Sequence, residues 1–170
     1  MLMDVEVSQS AKRWKGTELR RCFGRFPSGV VAVVGLAAGV PRGMIVNSFT
    51  AVSLDPPLVS LCVAHTSSTW PILAKLPVLG LSVLAEHHEG VASALSARTN
   101  DKFANVDLQR TPSGAAFVRG SSLWLECAIV SEIRVGDHDV VVLKICDLRS
   151  HSAAPMIFLD SAYRRIVSAP

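Results

Sequence analysis

The strongest constraint on what this chain can fold into is one long hairpin signal. In Leu123–Val135, the residues Leu123, Leu125, Cys127 and Ile129 alternate with Trp124, Glu126, Ala128 and Val130, the period of two that marks a half-buried strand. Gly136-Asp137 then supplies turn chemistry, and His138–Leu148 returns as a run rich in β-branched residues. A lone hairpin is marginal in water, so its apolar face needs further strands or helices.

The rest of the chain provides them. Thr17–Arg25 places Leu19, Cys22 and Phe23 at helical spacing, and Phe26-Pro27-Ser28-Gly29 stops that short helix. Val30–Leu36 is apolar on both faces and reads as a buried strand. Ala38-Gly39-Val40-Pro41 reads as a hairpin connection into a second strand, Met44–Val52, with Asn47, Phe49 and Ala51 on one face and Ser48, Thr50 and Val52 on the other. Asp55-Pro56-Pro57 turns the chain, because proline cannot donate to a ladder, and Leu58–Val63 is a third strand. A short helix follows over Thr69–Leu76 with Pro71 in its first turn, then a strand over Val78–Leu84 and a helix over Glu86–Arg98. Thr99–Gly114 is the longest candidate loop, and Pro155–Leu159 and Tyr163–Ile166 close the chain. Met1–Gly16 is polar and aperiodic and reads as a loose arm. Six or seven strands with two or three short helices describe a mainly β, antiparallel barrel or sandwich rather than a parallel α/β sheet.

At 170 residues, 49% hydrophobic and 18% charged, the chain suits one globular domain. The net charge of +3 is spread out, which predicts an ordinary solvated surface and no nucleic-acid partner. No apolar run is long enough for a membrane span, and acids stand where a signal peptide needs a basic region. A cytoplasmic protein is expected. The four cysteines lack CxxC spacing and are expected as buried free thiols.

Several chemistries fail on inspection. Gly24–Gly29 has the length of a phosphate-binding P-loop, but Val30-Val31 stands where Lys and Ser/Thr are needed. Gly80-Leu-Ser82-Val-Leu84 lacks the last glycine of a nucleophile elbow. His87 and His88 are adjacent and diverge on a helix, so no metal site is proposed. Three polar clusters remain, each with a plain structural explanation, and none alone names a function. Asn47-Ser48-Phe49-Thr50 with Ser53 is a solvated strand face or the wall of a polar ligand site. Ser67–Thr69 is ordinary capping or a phosphate contact. Gly136-Asp137-His138 is by itself a hairpin turn with a His beside it, and Lys102-Phe103 in the long loop is an exposed charge beside an anchoring aromatic.

Taken in order, Phe26-Pro-Ser-Gly29, Pro41-Arg-Gly-Met44, Asn47-Ser-Phe-Thr-Ala-Val-Ser-Leu-Asp-Pro-Pro57, Ser67-x-Thr69, Asp101-Lys-Phe103, Leu125-Glu-Cys127 and Gly136-Asp-His138 resemble the flavin reductase family of the FMN-binding split barrel. The resemblance covers about residues 17–167, leaving 1–16 as the arm. It implies an antiparallel split β-barrel with a few short helices, forming a homodimer with flavin near the subunit interface. Asn47, Ser48 and Thr50 would then address the isoalloxazine or ribityl chain, with Ser53 and Leu54 beside them and Cys62-Val63 under the ribityl. Ser67, Thr69 and Lys102 would meet the phosphate, Phe103 would pack near the cofactor, and the Asp137-His138 turn would sit at the nicotinamide. The implied activity is hydride transfer from NADH or NADPH to FMN or FAD, with reduced flavin supplied to a separate monooxygenase. A flavin- or ligand-binding protein of the same fold without reductase activity, and a nonenzymatic nucleic-acid- or partner-binding β-barrel, are the alternatives.

Overall fold

A computed structural model of the chain describes residues 3–5, 14–97, 99 and 101–166. The rest of the expected arm (1–2 and 6–13), Arg98 and Asn100 of the expected helix and loop, and Val167 at the expected domain end lie outside the described residues. In chain order the elements are β1 (Met3–Val5), α1 (Gly16–Phe23), β2 (Ser28–Gly29), β3 (Val31–Ala37), β4 (Val40–Val46), β5 (Thr50–Leu54), β6 (Pro57–Ala64), α2 (Trp70–Leu73), β7 (Leu79–Val83), α3 (Glu89–Ser96), β8 (Leu108–Arg110), β9 (Ala116–Val118), β10 (Leu123–Val135), β11 (His138–Ser150), β12 (Ile157–Leu159) and β13 (Ala162–Arg164).

The main sheet runs β4-β3-β7-β10-β11-β6-β5, all antiparallel, with β1 added parallel to β10. It curls without closing. β4 and β5 are its two edges, yet Val46 of β4, Val31 and Val33 of β3 and Val59, Leu61 and Val63 of β6 meet in one buried cluster with Trp70 and Leu73 of α2. Burying each Val or Leu there contributes roughly 1.5–3 kcal/mol before chain entropy is set against it. The opposite face of β3 (Ala32, Val34), with Val30 just before it, is covered by Ala92 and Leu95 of α3 and by Ala116 and Val118 of β9. This is why Val30–Leu36 reads as apolar on both faces.

Four expectations are corrected. The single strand expected over Met44–Val52 is two: β4 ends at Val46, Asn47-Ser48-Phe49 crosses over, and β5 starts at Thr50 on the far edge of the sheet. The expected loop 99–114 contains β8, which pairs with β9, a strand too short to show a period. The helix expected from Glu86 begins only at Glu89, because the buried His88 side chain turns back and its Nδ1 accepts the Ala85 N–H at 3.1 Å. Of the thiols only Cys127 is buried, while Cys22, Cys62 and Cys146 are exposed.

Candidate functional site

β6 delivers the chain into the loop His65–Thr69 and then into α2, beside the β10–β11 turn. The ladder pairs Ala64 with His138, the His65 N–H donates to the Asp137 carbonyl at 3.0 Å, and His65 Nε2 meets Asp139 Oδ1 at 2.9 Å. The loop and the turn are therefore one hydrogen-bonded unit. Within the turn, His138 Nδ1 lies 2.7 Å from Asp137 Oδ1. That bond and the His138 charge hold the Asp137 carboxyl below its usual range, so it is ionised and accepts, and the ring nitrogen carries the proton. That bond engages Nδ1, leaving Nε2 as the ring nitrogen that Asp137 does not hold.

The same loop forms one wall of a cleft of about 610 Å³. Thr66, Ser68, Thr69 and Ile72 line it from the loop and α2, Pro41, Arg42 and Gly43 from β4, and Thr99, Lys102 and Phe103 from the segment after α3. Two cations and four hydroxyls converge there without a carboxylate among the lining residues. Lys102 Nζ is steadied by donating to the Leu95 carbonyl at 3.1 Å. Gly43 is needed where it is: a Cβ would lie 2.8 Å from the Val33 carbonyl oxygen and 2.9 Å from the Phe103 ring. The expected phosphate residues Thr69 and Lys102 thus share the cleft with Phe103, whereas the Ser67 hydroxyl accepts the Trp70 N–H at 3.1 Å and organises the loop from behind.

The residues expected along the second strand are dispersed by the crossover. Ser48 Oγ accepts the Cys62 N–H at 2.9 Å and donates to the Cys62 carbonyl at 3.1 Å, fastening the crossover to β6. Cys62 points outward, and the Val63 side chain is buried in the core, leaving only its backbone to a ligand. On β5, Thr50 is exposed, Ser53 is half-buried and Leu54 stands 94% exposed. Asn47 lines a different hollow of about 180 Å³ with Val30, Ile45 and Tyr163. A third hollow, beside the stacked rings of Phe117 and Trp124, lies toward the far end of the β10–β11 hairpin from Gly136 and contains none of the expected site residues.

Sequence reasoning gave no role to Arg42, Thr66, Thr99, His65 and Asp139, and named Ser68 only within the Ser67–Thr69 cluster. Thr66 and Ser68 were legible as neighbours of Ser67 and Thr69. Arg42 and the His65–Asp139 pair come together only through tertiary pairing.

Comparison with known proteins identifies the family. The sequence model of the flavin reductase like domain matches residues 23–167. The NADH-dependent FAD reductase of Streptomyces globisporus is 37% identical over 154 residues, spanning 87% of this chain and 84% of that protein. The reductase subunit HsaB of a flavin-dependent monooxygenase from Rhodococcus jostii is 32% identical over 148 residues, 86% of this chain and 76% of HsaB. The stachydrine N-demethylase reductase subunit Stc3 of Rhizobium meliloti is 35% identical over 133 residues, and the alignment, 78% of this chain, spans 58% of that subunit. Among solved structures, Streptomyces globisporus NADH:FAD oxidoreductase SgcE6 in complex with NAD and FAD fragments matches with a TM-score of 0.85 at 34% identity, covering 96% of this chain and 98% of that one. With a family match over most of its length and relatives above 30% identity covering most of the chain, this protein belongs to the flavin reductase like domain family.

Proposed function

We propose that the chain is an NAD(P)H:flavin oxidoreductase that reduces FMN or FAD by hydride transfer and supplies reduced flavin to a separate monooxygenase. One observation carries this reading: a cation-lined, carboxylate-free cleft is hydrogen-bonded through its own loop to an aspartate-clamped histidine turn. The cleft suits the phosphate end of a nucleotide, and the turn, with glycine at φ 61° and a flat imidazole, suits the face of a planar ring. A bound flavin supplies the hydride-accepting chemistry, so the protein's task is binding and orientation. Thr69 and Lys102 hold the phosphate, Phe103 walls the site, and Ser48 fixes the crossover from which Thr50, Ser53 and the backbone of Leu54 face the ring. Cys62 and the Val63 backbone lie under the ribityl, and His138, oriented by Asp137, meets the nicotinamide.

Residues 17–167 form the functional domain in this reading. A second copy of the chain covers edge strand β5, whose Val52 is 51% exposed and Leu54 94%. Four free thiols, three of them exposed, fit a reducing, cytoplasmic setting. The named role of HsaB as a reductase subunit supports a monooxygenase partner.

The test is to mix the purified chain with NADH and FMN, then repeat with NADPH and with FAD, following the NADH and flavin absorbance bands. Consumption of the nicotinamide nucleotide well above the protein-free blank is expected. If flavin binds but no combination exceeds the blank, the protein is a flavin binder without turnover and the reductase reading fails.

A further inference from the structure

We propose that Arg42 is a second phosphate-reading cation, so that the cleft selects the diphosphate of a dinucleotide flavin over the monophosphate of FMN. The inference rests on the flavin reading above and assigns a preference within it.

The argument starts from the edge strand. Arg42 lies directly across the β3–β4 ladder from Gly35. A Cβ on Gly35 would point at Leu73, Leu76 and Leu79, so the face that Arg42 shares is the one carrying α2. Gly43, the next residue, faces the other way, where the Phe103 ring lies. Lys102 belongs to that second side, with its ammonium anchored on the last turn of α3 through the Leu95 carbonyl. The two cations therefore approach the cleft from opposite sides of strand β4, which nothing flanks on its outer edge in the sheet.

Charge points the same way. The ion pairs among the described residues are Arg25–Asp160, His65–Asp139, Arg119–Asp107 and Asp137–His138. Neither Arg42 nor Lys102 belongs to any of them, and no acid lines the cleft to offset either one. Thr66, Ser68 and Thr69 add donors to the lining of the same cleft. At about 610 Å³ the space is of the size that takes a whole ligand moiety, well beyond one phosphoryl group. A guanidinium presents paired N–H groups that match two oxygens of one phosphate, a task for which the Lys102 ammonium is only a point charge. Lys102 accordingly serves the phosphate that FMN and FAD share, and Arg42 the phosphate that only FAD carries.

Titration of the flavin-free protein with riboflavin, FMN and FAD by fluorescence tests this, comparing wild type, Arg42→Gln and Lys102→Ala. Because Arg42 is exposed and makes no ion pair among the described residues, Arg42→Gln should keep the fold, which a thermal melt checks. Wild type is expected to bind FAD about tenfold or more tightly than FMN, Arg42→Gln to lose about tenfold on FAD with FMN unchanged within about twofold, and Lys102→Ala to weaken both. Equal FMN and FAD affinities in wild type, or an Arg42→Gln change that treats the two alike, overturns the proposal and leaves Arg42 a solvated arginine. ADP is titrated separately by calorimetry as a diphosphate without a flavin ring. If no flavin binds wild type, the flavin reading itself fails. The role of Arg42 then stands if ADP binds wild type and not Arg42→Gln, and falls if the two behave alike.

Discussion

Gly43→Ala is the most informative single substitution, because it tests fold and site together. The added methyl would sit 2.8 Å from the Val33 carbonyl oxygen, 2.9 Å from Phe103 Cζ and 3.1 Å from Val34 Cγ2. The Val33 oxygen is part of the β3–β4 ladder and cannot yield without disturbing it, whereas the Phe103 ring can swing away. Overpacking of this kind costs about 1–3 kcal/mol. With a urea slope of about 2 kcal/mol/M, the midpoint should fall by about 0.5–1.5 M. Because Phe103 is the group free to move, the cleft wall moves with it, and flavin affinity should fall about tenfold. A double-mutant cycle with Phe103→Ala apportions the loss. In that background Gly43→Ala should cost at least about 0.5 kcal/mol less, since one of its three close contacts is gone. A Gly43→Ala protein within about 0.5 kcal/mol of wild type and with unchanged flavin affinity would refute the close packing of β4 against the Phe103 segment.

Other outcomes follow from separate features. His138→Ala should slow NAD(P)H oxidation at least about tenfold with flavin affinity within about twofold of wild type, and an equal loss of flavin binding would move His138 into the flavin pocket. In alkylation followed by mass spectrometry, Cys127 should stay unmodified in the native protein, since burial, then Cys146 and Glu126, push its thiol up to about 12. Cys22, Cys62 and Cys146 should react, and bound flavin should protect Cys62 alone; protection of Cys22 or Cys146 instead would relocate the ligand. Burial first, and then the neighbouring His87, lower the His88 pKa against the opposing pull of the Arg119 backbone. The unfolded chain therefore binds the proton more readily, so the His88 contribution is intact above its ordinary value of 6.5 and is lost as pH falls below it toward the folded value. Denaturant midpoints measured from pH 7.5 to 5 should fall for wild type and more shallowly for His88→Gln, by up to about 1.4 kcal/mol per pH unit in slope; parallel curves would exclude His88 as the source.

The antiparallel, mainly β class was readable because the strands that carry it are either alternating, as in Leu123–Val135, or apolar throughout, as in Val30–Leu36. The crossover Asn47–Phe49 was hidden because its residues continue the strand pattern on both sides. Nothing local distinguishes a strand that goes on from one that leaves a sheet edge and joins the opposite edge. His88 misled in the same way, since a buried histidine folded onto Ala85 looks like one more polar residue on a helix. Within the site, the motif resemblance named Thr69 and Lys102, which line the cleft, and His138 on the turn bonded to the cleft's loop. Arg42 acquires meaning only when α2 and the 99–103 segment are set on either side of β4. Ser48 shows the limit of reading a hydroxyl as a ligand contact, because both of its hydrogen bonds go to the Cys62 backbone.

The bonds from His65 to Asp137 and Asp139 have a thermodynamic consequence. A loop and a turn joined by these two bonds lose their freedom together, so a ligand that stills one leaves less entropy for the other ligand to remove. Occupation of the cleft should therefore tighten binding at the turn, and occupation of the turn should tighten binding in the cleft by the same factor, since linkage is reciprocal. When the ligand in the cleft leaves, that mutual tightening is withdrawn, and release of one product becomes a step in the release of the other.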